Sequence, residues 1–160
     1  MKMTTLCYIE NNDAYLMLHR TKKENDENAD KWVGIGGKFM AGESPEDCII
    51  REILEETGVA PISLSYRGII TFVSDQYGTE YMHLFHAKGF EGEIIRECPE
   101  GDLEWVPKHM ITSLPLWQGD YLFLKLLDEN IPFFSLKLRY EGEHLIEAVL
   151  NGNSLPISIN

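Results

Sequence analysis

With 160 residues, 44% of them hydrophobic, and a net charge of −12, the chain is long enough for one fully cored domain spanning 1–160 and too acidic for a polymeric nucleic acid partner, whose affinity rests on neutralising phosphates. Three cysteines (Cys7, Cys48 and Cys98), odd in number and without CxxC spacing, argue against a disulfide framework or zinc site and fit a reducing, cytoplasmic setting. The absence of a leader pattern and of any run of 18 apolar residues predicts no export and no membrane partner.

In chain order, residues 4–10 have strand composition, Asn11-Asn12-Asp13 is a turn cluster, and residues 14–19 read as the return strand of a hairpin. The polar stretch 20–31 is either a surface connection or a flap whose Arg20, Lys22 or Lys23 reaches phosphate oxygens. Residues 32–35 form a short strand leading into Gly34-Ile35-Gly36-Gly37. Two longer strands are expected at Leu64–Ser74 and 80–88, joined by Asp75-Gln76-Tyr77-Gly78. Residues 103–106 form a strand stopped by Pro107. A helical apolar pattern at Leu122, Phe123, Leu126 and Leu127 marks 119–130, and a terminal hairpin covers 133–150. The sum is a mixed sheet with two substantial helices, an α/β (α+β) sandwich.

The most informative stretch lies between the short strand and the long ones, at residues 37–59, GKFMAGESPEDCIIREILEETGV. Ser44 is a capping hydroxyl, Pro45 suits a first helical turn, and Glu46 and Asp47 suit the positive end of a helix dipole. Gly58 is a C-terminal stop, so the spacing predicts a helix over Pro45–Thr57. Ile49, Ile50, Ile53, Leu54 and Thr57 are expected to share its buried side and Glu52, Glu55 and Glu56 the opposite one. Three such carboxylates repel one another unless a cation intervenes. With bare carbonyls from the glycine-rich approach, they make the oxygen-rich ligand set of Mg²⁺ or Mn²⁺.

This stretch matches all nine specified positions of G-x5-E-x7-R-E-U-x-E-E-x-G-U, where U is aliphatic. On those residues the chain resembles the Nudix hydrolases. The resemblance implies an α/β/α sandwich with a mixed central sheet, and metal-assisted cleavage of a phosphoanhydride. It implies metal ligation by Glu52, Glu55, Glu56 and the Gly36 carbonyl, and bracing by Glu43 and Arg51. Glu52 or Glu56 would be the catalytic base, with Glu100 a second possibility. A further acid is expected from Glu97, Glu100, Asp102 or Glu104, with Glu100 preferred for its place five residues before Trp105.

The order of landmarks from Trp32 to Phe134, closing with Ile131-Pro132-Phe133-Phe134-Ser135-Leu136-Lys137, is similar to that of MutT, MutX and MTH-type 8-oxo-dGTP diphosphatases. That likeness implies a base pocket at Trp117 and Asp120, with Leu6, Tyr8, Phe72 and Phe85 as wall and with Arg20 and Lys38 toward the phosphates. Without it, Trp117 reads equally as a core aromatic and Asp120 as a helix-start residue. Two positions depart from the pattern. Val33 stands where the human member has Asn, and Gly119-Asp120 stand where it has two adjacent aspartates. The expected partner is a nucleotide and the expected assembly a monomer or homodimer. Other diphosphate substrates, or nucleotide sensing without turnover, are the alternatives.

Overall fold

The computed structural model describes residues 1–22, 25–95 and 97–157. Strands β1 (Lys2–Asn11), β2 (Ala14–Arg20) and β3 (Trp32–Val33) precede helix α1 (Pro45–Thr57). Then come β4 (Ala60–Pro61), β5 (Leu64–Ser74), β6 (Gly78–Lys88), β7 (Phe90–Glu91), β8 (Glu97–Cys98) and β9 (Gly101–Pro107). A 3₁₀ turn (Lys108–Ser113), helix α2 (Asp120–Asp128), and strands β10 (Phe134–Glu141), β11 (His144–Leu150) and β12 (Asn153–Leu155) complete the order.

The main sheet runs β12-β11-β10-β5-β6-β1-β2-β9-β8, with β3 also on β2. It is mixed: β1 lies parallel to β6 and β10 parallel to β5, whereas the other neighbours are antiparallel. Strand alternation divides the core into two layers. Cys7, Ile9, Leu16 and Leu18 pack with Ile49 and Ile53 of α1, and Leu6, Tyr8 and Met17 pack with Phe123 and Leu127 of α2. This is the expected α/β/α arrangement. The short pairs β4–β7 and β8–β9 and the strand β12 are too brief to leave a periodic signal.

One expectation needs correction. The inward face of α1 is rotated from the predicted one: Cys48, Ile49, Ile53, Glu56 and Thr57 are buried, while Ile50 and Leu54 are exposed. At roughly 100° per residue, Glu52 and Glu56 therefore fall between Cys48 and Ile49, inside the arc that faces the protein. Hydrophobicity alone misplaced them because that arc closes onto the glycine segment as well as onto the sheet.

The first hairpin forms as expected, antiparallel across its turn, but it opens away from that turn. β1 and β2 pair only at Glu10–Tyr15 and Asn11–Ala14, then separate. The glycine segment fills the opening. Cys7 exchanges backbone hydrogen bonds with Ile35, at 2.6 and 2.9 Å, and the Thr5 N–H donates to the Gly37 carbonyl at 2.9 Å. On the other side, β3 pairs with Leu18 and His19 of β2. A Cβ on Gly36 would stand 1.9 Å from the Thr5 carbonyl oxygen, so only glycine lets the chain run this close to β1.

Candidate active site

Helix α1 delivers its glutamates from a well-fixed start. The Ser44 hydroxyl accepts from the Asp47 N–H at 3.0 Å, and the Asp47 carboxylate accepts from the Ser44 N–H at 3.1 Å. This reciprocal pair satisfies two donors that would otherwise be orphaned at the helix start. At the other end Gly58, at φ 79°, donates its N–H to Leu54.

Arg51 ties the helix to the incoming loop. Its Nε and Nη2 donate to the two Glu43 oxygens at 2.7 and 2.9 Å, and Nη1 donates to Glu52 at 2.8 Å and Glu55 at 3.2 Å. Nη2 also reaches the Lys38 carbonyl at 3.0 Å. The guanidinium, aided by the Met40 N–H, holds the Glu43 carboxyl down at about 2. Glu52 lies against Gly37, where a Cβ would come within 2.5 Å of its carboxyl carbon. Glu55 is the exposed member of the three.

Glu56 is buried and accepts from the Gly36 N–H at 3.1 Å. Burial, then the charges of Glu100 and Glu52, push its proton affinity well above the carboxylate range. Burial also raises Glu52, against the pull of Arg51. Three carboxylates that penalise one another's ionisation suit a hard divalent cation, so the donor set fits a magnesium or manganese ion. Among the described residues no three acidic, histidine or cysteine side chains already converge as a closed shell. Glu52 is turned toward Arg51, Glu56 toward Gly36, and Glu100 toward Arg20.

Arg20 is not placed as expected. Its guanidinium grips both oxygens of Asp26, at 2.8 and 3.2 Å, and donates to Glu100 at 2.9 Å. Two carboxylates therefore already occupy its fork, and it orients Glu100 instead of facing phosphate. Lys22 lies 3.4 Å from Asp102. Lys23 and the Glu97 side chain lie outside the described residues. Lys38 is exposed, with no carboxylate within ion-pair distance among the described residues.

On the α2 side of the sheet, Trp117 is buried, edge-on to Phe72 and Tyr140. Its indole N–H donates to the Asn28 amide oxygen at 2.8 Å, and the Lys31 ammonium sits 4.6 Å above its ring, also paired with Glu143 at 2.6 Å. Asp120 opens α2 without capping it, and its carboxyl receives no hydrogen bond among the described residues. Burial pushes it up to about 8, the charge of Lys31 opposing and that of Glu80 adding. Leu6, Tyr8 and Phe72 lie on this side, but Phe85 faces the α1 layer because it follows Leu84 by one strand position.

Sequence reasoning missed Asn28 and Lys31. Both sit in the stretch 20–31, and their contacts with Trp117 span more than eighty residues, so no local pattern reveals them. The same stretch also joins the two halves of the site. Asp26 holds Arg20, and thereby Glu100, while accepting from the Asn28 N–H at 3.1 Å.

The brace makes a pH prediction. Glu43 titrates near 2 when folded against 4.5 unfolded, so its stabilisation is present above pH 4.5 and is lost as pH falls toward about 2. Glu43→Gln should have a lower Tm than the parent at pH 7, and the difference should shrink through that window. Calorimetry of both proteins across the range checks it.

A family model described as the NUDIX domain matches residues 2–127. The chain is 33% identical over 124 residues to an uncharacterized Nudix hydrolase, YvcI, of Bacillus subtilis, covering 75% of each. It is 33% identical over 127 residues to the oxidized purine nucleoside triphosphate hydrolase of Danio rerio, covering 78% of this chain and 79% of that one. A crystal structure of a MutT protein from Bacillus halodurans shares the fold with a TM-score of 0.84 at 28% identity, covering 94% of this chain and 98% of that one.

Proposed function

The chain belongs to the Nudix hydrolase family, and from that premise we propose that it hydrolyses nucleoside triphosphates to monophosphate and pyrophosphate, with oxidised purine deoxynucleotides such as 8-oxo-dGTP preferred. One observation carries the choice of base: a buried Asp120 carboxyl, uncapped and raised to about 8, in the layer that holds Trp117. A carboxyl that keeps its proton near neutral pH can donate to a purine edge as well as accept from it. The aromatic layer beside it supplies apolar contact for a base.

For the chemistry, Glu52, Glu55, Glu56, Glu100 and the Gly36 carbonyl would hold Mg²⁺ or Mn²⁺, which supplies charge neutralisation at phosphate oxygens and acidifies bound water. Arg51 keeps Glu52 and Glu55 in register by donating to both. Glu56, fixed by the Gly36 amide, takes the proton of the attacking water, with Glu52 and Glu100 as its neighbours. Arg20 orients Glu100. Lys38 offers an uncommitted ammonium to the phosphates. No helix is long and apolar enough to cross a membrane among the described residues, and we place the enzyme in the cytoplasm.

The test is steady-state hydrolysis in Mg²⁺ of 8-oxo-dGTP, dGTP, ADP-ribose and a nucleotide sugar, with product analysis. A higher kcat/KM for 8-oxo-dGTP than for dGTP, with pyrophosphate released, is the expected result. Equal rates for the two, or activity on ADP-ribose alone, would overturn the assigned base preference.

Asp120→Ala should lower kcat/KM for 8-oxo-dGTP by about tenfold to a hundredfold, the loss of one hydrogen bond to a charged or buried partner. The same variant should change stability in a pH-dependent way. Asp120 titrates at about 8 when folded against 3.8 unfolded, so the parent loses stability as pH rises across that interval. The variant should lack this slope in thermal unfolding.

A further inference from the structure

The chain carries −12 net charge, and most of its cations are paired with acids. Among the described residues, the Lys and Arg side chains with no carboxylate within ion-pair distance are Lys38, Arg67 and Lys88. Lys38 belongs to the glycine segment described above. The other two line one cavity of about 350 Å³, together with Ser63, Ser65, His86 and Asn130. That volume lies within the range of small-molecule sites. The cavity shares no residue with the glutamate cluster and meets the Trp117 layer only at Ile131.

The fold places these donors by local irregularity. β5 pairs with β6 through Tyr66–Phe85 and then Gly68–Leu84, so Arg67 is the extra residue of a β-bulge. A bulge re-aims the side chain it carries. One Arg67 N–H is spent on the Ile131 carbonyl, at 3.1 Å, which anchors the guanidinium beside the cavity and leaves its other donors uncommitted. Ser63, at φ 49°, adopts the left-handed backbone that a non-glycine residue takes only under constraint. His86 is buried at the cavity wall, and its Nε2 is bonded to Glu10, whose charge is also met by Lys108 at 2.9 Å. The acid bonded to His86 is thus already compensated by Lys108.

We propose that this cavity is a second, non-catalytic binding site for a phosphate group, either free phosphate or the phosphate of a small phosphomonoester. An arginine fork, an ammonium and the Ser63 hydroxyl form a donor set suited to a tetrahedral dianion, the Ser65 hydroxyl being donated to the His86 carbonyl at 3.3 Å.

The test follows the His86 ring and Arg67 guanidinium resonances of the full chain in chelator-containing buffer. Inorganic phosphate and glycerol 3-phosphate are titrated separately, with sodium chloride matched for ionic strength. Saturable shifts at both side chains are expected from at least one phosphate compound, and the tighter of the two identifies the natural source. Lys88→Gln removes an exposed, unpaired ammonium without touching the core, so it should fold normally and weaken binding about tenfold. Arg67→Gln combined with Lys88→Gln should abolish saturation while leaving nucleotide hydrolysis intact, and Lys38→Gln should leave the titration unchanged. A linear drift equal to that with chloride would overturn the site. So would an affinity that Lys88→Gln does not alter.

Discussion

Glu56→Gln should lower kcat by about 10²- to 10⁴-fold, the range expected when a positioned proton acceptor is lost, while making the metal-free protein more stable. The first effect follows from geometry. Glu56 is the buried carboxylate held between the Gly36 amide and Glu100, and glutamine keeps the shape and the amide contact without the charge. The second follows from the cost of the charge. Burial and the neighbouring acids raise the folded pKa above its unfolded value of 4.5, so the parent loses stability as pH rises through that interval. Glutamine removes the loss. In chelator the variant should therefore have the higher Tm at pH 7, and the gap should close toward pH 4.5. Turnover measured in Mg²⁺ and thermal unfolding measured in chelator check the two halves separately. Turnover near that of the parent would remove Glu56 from its role and move the assignment to Glu52 or Glu100. An unchanged Tm would mean that the buried carboxylate is not penalised as its surroundings imply.

Gly36→Ala should cost about 3 kcal/mol or more, at the upper end of what overpacking produces. The wall it meets is backbone: the new methyl would lie 1.9 Å from the Thr5 carbonyl oxygen and 2.9 Å from the Leu6 Cα. Strand β1 is central, paired with β6 along Lys2–Glu80 to Glu10–Lys88, and cannot give locally. For a chain of this size the cost corresponds to a Tm lower by roughly 6–12 °C. Gly42→Ala is the informative control. Nothing lies within 4 Å of its Cβ position, so only the left-handed backbone at φ 82° opposes alanine, at about 1–2 kcal/mol. If both variants lose the same stability, close approach to β1 is not what demands glycine at 36. If Gly36→Ala folds well yet turns over slowly, the segment's role is to aim the Gly36 amide at Glu56.

Much of this was legible locally. The ends of α1 could be read from Ser44, Pro45, Asp47 and Gly58 because capping and helix termination depend on residues within one turn. The strand at Leu64–Ser74 was legible from composition and flanking turn residues. The family assignment rested on spacing alone, since a loop and a helix separated by a few residues carry their register with them.

Tertiary structure decided what spacing could not. A helix of suitable pattern does not say which of its edges closes onto a second chain segment, so Glu56 is buried where amphipathicity pointed it outward. The opening of the first hairpin has no sequence mark either, because it exists only once Gly36 slides against Thr5. Arg20 could be recognised as a cation, but its remote partner Glu100 meets it only after β2 and β9 pair. By itself the sequence determined the chemistry that could be present. The packing of segments remote in the chain decided which charges face one another, because Coulomb and desolvation energies depend on distance and burial and not on order along the backbone.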